Sequence, residues 1–401
     1  MMPSAKNALK NVQALSLAGI IFFAPTSVAG MNIMGGGFVI LSAIILGLSK
    51  EIQKKFDKKS LITIIFALWV AISAFWAPSW ADSWPSLKSL WWYAILPLSS
   101  LTIEWSERKF KLLVYALIFG NITNAIIFMV QYSHLINGFE YNAKYGLVGF
   151  GNRVYLAMLV PPTIIILIND ARHRFYFKNP YTSIIFACAL IFELGWSTGR
   201  TAQLMLIILA LFFYRNALIK HKLLTIGAAT LTVIFIALSP YIIHRWFEAY
   251  QNLVLYQSGN ASTDFGLRFA FWEAAIKMFV SHPFLGVGAG GYTPHFFTLM
   301  KNHEIPKIDA IWYWAIEPHN TYLAILAEYG LIGFALFYAI ISIFYNDSKI
   351  IANTPIGEFK FIILVTFLIA SFSDTFIWRW QGMMILLVAF SIKNPIRSTS
   401  N

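Results

Sequence analysis

The chain has 401 residues, of which 58% are hydrophobic and only 12% charged. Soluble globular chains lie nearer a quarter charged, so this composition falls outside that class, and its hydrophobicity excludes a disordered chain. Cys188 is the sole cysteine, which excludes a disulfide scaffold. The 35 Phe suit lipid, while the 18 Tyr and 14 Trp suit a membrane interface. The net charge of +12 fits either nucleic acid or the basic loops of a membrane protein, and the placement of the charges decides.

About twelve apolar stretches approach the length that a spanning helix needs, roughly 20 residues. In chain order they are 12–30, 32–49, 60–77, 89–103, 112–133, 153–169, 181–196, 201–214, 223–241, 319–345, 360–376 and 379–393. The fourth, eighth and last two are short or poorly separated, so about ten or eleven spans also fit. In the first, Ser27-Val28-Ala29 resembles a cleavage site. An uncleaved span is nevertheless the better reading. The expected fold is all-α: a polytopic membrane helix bundle with about 12 transmembrane helices and one long, partly helical loop on the outside.

With both termini placed in the cytoplasm, every inside segment carries Lys or Arg, from Lys6 and Lys10 through Lys54, Lys55, Arg108, Lys109, Arg172 and Lys220 to Lys349, Lys393 and Arg397. This is the positive-inside pattern, so the charge is a topology signal and nucleic acid is dropped as a partner. Outside remain Arg153, Arg200, Arg245, Arg268 and Arg379, with several Lys. Arginines at outer span edges need a partner: lipid phosphate, an acidic side chain or an anionic substrate. The chain divides as 1–241 (nine spans), 242–318 (an outside loop) and 319–401 (three spans and a tail), with no internal repeat.

The 242–318 loop is too long for an idle connector. Within it, Phe265–Val280 reads as an amphipathic helix with Arg268 and Trp272 on one face. Next comes the glycine-rich run Gly286–Gly291, which lacks the ending of a nucleotide loop and reads as a flexible turn. Trp312-Tyr313-Trp314 suit an interfacial helix. At the loop's end stands Glu317-Pro318-His319-Asn320. The pattern puts His319 in the first turn of the following span, where a helix dipole favours neutral imidazole, the form able to accept a proton. Taken alone, such a His is more often a plain interfacial cap. Glu328 lies nine residues on, roughly 13 Å deeper, as a proton relay or a hydrogen-bonded structural acid. The spacings of His282, His295, His303 and His319 match no ligand motif, so no metal is expected. Arg268, Arg200 in Ser197-Thr198-Gly199-Arg200-Thr201, and Arg153 after Gly151-Asn152 all fall on the side of His319.

His319-Asn320 followed by Gly330-x-x-Gly333 resembles the signature of the bacterial O-antigen ligase family, which is grouped with O-antigen polymerases and O-linked protein oligosaccharyltransferases. The Arg268–Trp272 segment and the Gly286–Gly290 turn are similar to that family's periplasmic loop. The resemblance implies an inner-membrane glycosyltransferase. Its donor would be a glycan on undecaprenyl pyrophosphate and its acceptor a sugar hydroxyl of lipid A–core, with no metal or other cofactor. It also implies that His319 is essential and that Arg268, Arg200 and, less closely matched, Arg153 hold the pyrophosphate. A transporter or flippase using Glu193, Glu328 and Asp374 as coupling groups is the rival from another class.

Overall fold

Several apolar runs become helix where a polar residue caps the start. Asp57, Ser106, Asn179 and Thr354 each accept a backbone N–H from the helix that follows. The computed structural model describes residues 3–48, 56–133, 147–148, 151–197, 199–220, 240–257, 263–306, 308, 316–377 and 380–393. The helices are α1 (Pro3–Phe23), α2 (Val28–Gly47), α3 (Lys58–Ser73), α4 (Trp80–Leu87), α5 (Ile95–Thr102), α6 (Glu107–Tyr132), α7 (Arg153–His173), α8 (Pro180–Trp196) and α9 (Arg200–Lys220). They continue as α10 (Pro240–Gln257), α11 (Asp264–Ser281), α12 (Tyr292–Lys301), α13 (Thr321–Ile350), α14 (Pro355–Ala370) and α15 (Trp380–Ser391). A two-residue antiparallel bridge, Leu147–Val148 with Gly151–Asn152, precedes α7. The described residues are otherwise helices and their connecting turns.

Among the described residues, four segments are long and apolar enough to cross a membrane: Val28–Gly47, Lys58–Trp76, Glu107–Tyr132 and Thr321–Ile350. Shorter apolar helices lie at Ala8–Phe23, Pro180–Trp196, Thr201–Asn216 and Gly382–Ser391. The stretch expected at 223–241 falls almost wholly outside the described residues, as do Trp312–Trp314 and Arg379. The 89–103 stretch is not one helix. Leu90–Ala94 winds as a 3-10 turn and only Ile95–Thr102 is α-helical. Pro97 lies in that helix's first turn, where its missing N–H costs nothing.

Ion pairs and hydrogen bonds fix which helix ends meet. Asp347, near the end of α13, takes Lys59 at 3.1 Å from the start of α3 and Lys360 at 2.6 Å from α14. Lys360 also donates to Ile392 O, and Lys393 to Ser100 O. Lys10 pairs with Glu104 at 2.5 Å, Tyr115 donates to Tyr176 O, and Tyr214 to Asn169. One end of the bundle therefore gathers the starts of α1, α3, α6 and α14 with the ends of α5, α7 and α13, along with Lys10, Lys59, Lys109, Lys111, Lys360 and Lys393. Thr321 N donates to Ser371 O, so α13 begins beside the end of α14 at the opposite face. With 30 residues, α13 separates the two ends by about 45 Å.

α13 is broken at Gly330, whose φ of 61° and ψ of −164° belong to no helix. The backbone groups released there find new partners. Ala327 O and Glu328 O accept Val287 N and Gly288 N, both at 2.9 Å, and Tyr329 O accepts the Trp69 indole. Leu331 N and Ile332 N donate to Pro283 O and Phe284 O. The glycine-rich run is thus not a flexible turn. It is the strap that satisfies a helix break, and such a break is tolerated within a membrane bundle only when enclosed by protein. Gly286, Gly288 and Gly290 all have positive φ, which lets the strap reverse repeatedly in a short space. Phe271, Met278, Val287, Tyr292, Phe296 and Ala327 form a second, smaller core joining α11, the strap, α12 and α13.

Candidate active site

His319 does not lie in the first turn of α13. Asn320 is the N-cap, its side chain accepting Tyr322 N at 3.0 Å and Leu323 N at 3.1 Å, and the helix starts at Thr321. His319 stands before the cap with φ +46°, a left-handed conformation that is uncommon for a residue with a Cβ. Its neighbours hold it there. The Trp272 indole donates to Pro318 O at 2.9 Å, and Phe271 lies 6.0 Å from the imidazole.

The charged groups nearest the imidazole are carboxylates rather than a helix end. Nδ1 lies 3.3 Å from Asp374 Oδ1 and 3.6 Å from Glu317 Oε1. The Asp374 side chain is 2% exposed and that of His319 24%. A carboxylate facing Nδ1 places the proton on that nitrogen and leaves Nε2 as an acceptor. Asp374 belongs to the turn between α14 and α15, which is stitched to the start of α13. Thr321 Oγ1 donates to Asp374 O and accepts Phe376 N, each at 2.9 Å, and Asn320 Nδ2 donates to Phe372 O.

Arg268 reaches the same turn from α11, donating Nη1 to Ser373 O at 3.0 Å. Arg268 and His319 therefore converge on adjacent residues, Ser373 and Asp374. The remaining N–H groups of the guanidinium fork have no partner among the described residues. Arg153 and Arg200 are the first residues of α7 and α9, and both helices run to the far end, where Asn169 and Tyr214 meet. Both arginines thus start at the His319 end, while their side chains lie outside the described residues.

Asp374 is the partner that sequence reasoning missed. The sequence offers it only as a coupling group of the rival transporter, 55 residues from His319 in the chain. The available signal was an acid flanked by apolar spans, which calls for a partner. Glu317, His319 and Asp374 offer ligand atoms within 4.8 Å of one another, a spacing that a cation can bridge and that no His–His spacing disclosed. Among the described residues, cavities of about 560 Å³ and 630 Å³ open at the far end, and the site is identified by its converging side chains.

The rival coupling groups are tied into the protein. Glu193 accepts Asn124 Nδ2 at 2.9 Å. Glu328 is 1% exposed and accepts Tyr292 N at 3.3 Å, so its carboxylate anchors the strap. Glu328→Gln keeps an acceptor oxygen, and transfer activity is expected to stay within about threefold of the parent. Glu328→Ala strands the strap's N–H and is expected to destabilise by about 1–3 kcal/mol. Denaturation midpoints and transfer rates of the two variants, measured side by side, check this. A complete loss of activity in Glu328→Gln with normal stability would return Glu328 to a proton-handling role.

Residues 184–338 match the family model described as O-antigen ligase. The chain is 24% identical over 230 residues to the O-antigen ligase of Escherichia coli (strain K12), an alignment covering 56% of this chain and 54% of that enzyme, about half its length. It is 23% identical over 418 residues to a Rickettsia prowazekii (strain Madrid E) protein named "Putative polysaccharide ligase", covering 94% of this chain and 98% of that protein. The matched segment contains Arg200, Arg268, the strap, His319 and the Gly330 break, so the chain is similar to the O-antigen ligase family over the part that carries the site.

Proposed function

We propose that this protein transfers a glycan from undecaprenyl pyrophosphate to a sugar hydroxyl of lipid A–core, at the periplasmic face of the bacterial inner membrane. The observation that carries the reading is the convergence of His319 and Arg268 on Ser373–Asp374, at the end of the bundle opposite its cation-rich face. Cations collect on cytoplasmic loops, which supports an outside position for His319, where lipid-borne glycans meet lipid A–core. Both termini are then cytoplasmic and the spans number about twelve.

The acceptor hydroxyl gives its proton to His319 Nε2, and its oxygen attacks the anomeric carbon. The C1–O bond to phosphate breaks and undecaprenyl pyrophosphate leaves with the electron pair, so direct displacement inverts the anomeric centre. Asp374 holds Nδ1–H and steadies the imidazolium that forms. Arg268, with Arg200 and Arg153, holds the two phosphates and offsets charge growing on the leaving oxygen. In a second assignment, His319 instead contacts the pyrophosphate and another group is the base. The donor is already activated, so no cofactor is needed.

Arg268→Lys keeps the charge and loses the fork. Transfer is expected to fall about 10²-fold, the scale of losing one aimed donor. Activity near the parent's would reduce Arg268 to a simple counter-charge. The deciding experiment incubates purified protein with a lipid-pyrophosphate glycan and three acceptors. Product on lipid A–core supports the ligase reading. Product on a growing glycan identifies a polymerase, and product on protein an oligosaccharyltransferase; either overturns it.

A further inference from the structure

The far end of the bundle holds a cavity of about 630 Å³ between α1 and the first turns of α6, some 45 Å from His319 by the length of α13. Three cations line it, Arg108, Lys109 and Lys111, and Ala14, Leu15 and Leu112 supply an apolar wall. We propose that this cavity binds the phosphodiester headgroup of an anionic membrane phospholipid.

The charges inside are incompletely compensated. Lys109 Nζ donates to a neutral group, Glu104 O, at 2.7 Å. Lys111 meets Glu107 at 2.9 Å and also lies 4.2 Å from the centre of the Phe175 ring, which pins it at the rim. The one other acid at this corner among the described residues, Glu104, is taken by Lys10. Arg108 is exposed and has no carboxylate partner among the described residues. The positive end of the 26-residue α6 adds potential of the same sign. A ligand that completes the site must therefore bring negative charge, and phosphate suits both an arginine fork and lysine point charges.

The wall separates a lipid from a soluble anion. Leu15 is 56% exposed and lies on the cavity, with Val12, 48% exposed, on the preceding turn of α1. A free phosphate gains nothing from these side chains. A phospholipid lays its glycerol and first methylenes along them while its phosphate meets the cations. Basic pockets between membrane helices on the cation-rich face have this chemistry. The site neither touches the His319 cluster nor depends on the transferase reading.

The test uses the full chain in detergent, titrated with phosphatidylglycerol, phosphatidylcholine or soluble glycerol 3-phosphate and followed by native mass spectrometry. Phosphatidylglycerol is expected to be retained about tenfold more strongly than phosphatidylcholine, and glycerol 3-phosphate not at all. In Arg108→Gln/Lys109→Gln, both near the surface, retention is expected to fall about tenfold. Lys349→Gln, a cation elsewhere on the same face, is expected to leave it unchanged. Equal retention of the two phospholipids, or equal loss in Lys349→Gln, overturns the site in favour of general charge attraction. Binding of glycerol 3-phosphate as strong as that of the lipid overturns the lipid assignment. A melting curve of each variant confirms that it is folded.

Discussion

His319→Ala is expected to abolish glycan transfer, with a loss of at least about 10³-fold, while the protein still inserts and folds normally. General-base catalysis contributes about 10²–10⁴-fold, and the surroundings of this imidazole suit that role. Nδ1 faces Asp374 and Glu317, Nε2 is left as acceptor, and Trp272 and Asn320 hold the backbone on either side. Asp374→Asn separates general-base action from mere presence of the ring. An amide can present either an acceptor or a donor to Nδ1, so the proton is no longer fixed there, and a fall of about 10²-fold is expected with donor affinity preserved. Rates and donor affinity measured on the same preparations check both variants. If His319→Ala loses donor binding and Asp374→Asn keeps full activity, the imidazole is a pyrophosphate contact and the base lies elsewhere. Normal transfer by His319→Ala would remove it from the mechanism altogether.

The helices were legible because lipid-facing segments must be apolar along their whole length. Asp57, Ser106 and Thr354 mark starts close to those read from hydropathy. The 89–103 stretch misled because hydropathy registers burial and not winding, so a 3-10 turn and a short α-helix look like one span. Arg268 and Trp272 were readable as one helical face, and both point to the His319 region. Asp374 was not readable as a partner, since the pairing is made by the return of α14 alongside α13 and leaves no local periodicity. Position relative to the helix start also escaped. One residue separates a first-turn His from a His ahead of the cap, and with it the expected neighbour changes from a helix end to two carboxylates. In the sequence, Gly330 and Gly333 carry only the resemblance to a family signature. Gly330 in fact breaks the helix, and only the positive φ and the strap's hydrogen bonds disclose that role.

Gly330→Ala is therefore expected to be among the most damaging single-methyl changes in the protein. With φ 61° and ψ −164°, Gly330 occupies a region essentially restricted to glycine, and forcing another residue there costs about 1–3 kcal/mol. A Cβ at this position would also run into the Phe284 carbonyl, which is backbone and cannot rotate away. Moving the strap to make room would break the bonds from Leu331 and Ile332 to Pro283 and Phe284 and leave buried groups unpaired, at about 1–3 kcal/mol each. The strap joins α11, which carries Arg268 and Trp272, to α12 and α13, so displacing it loosens the geometry around His319 as well. The expected result is a denaturation midpoint several degrees lower in detergent, with transfer reduced at least about tenfold in whatever protein remains folded. Gly286→Ala, whose Cβ would meet the Glu328 backbone from the other side of the junction, is expected to behave the same way. Gly36→Ala is the control, because nothing lies within 4 Å of a Cβ there. A Gly330→Ala protein as stable and active as the Gly36→Ala control would mean that the strap does not hold the break, and that another element aligns His319.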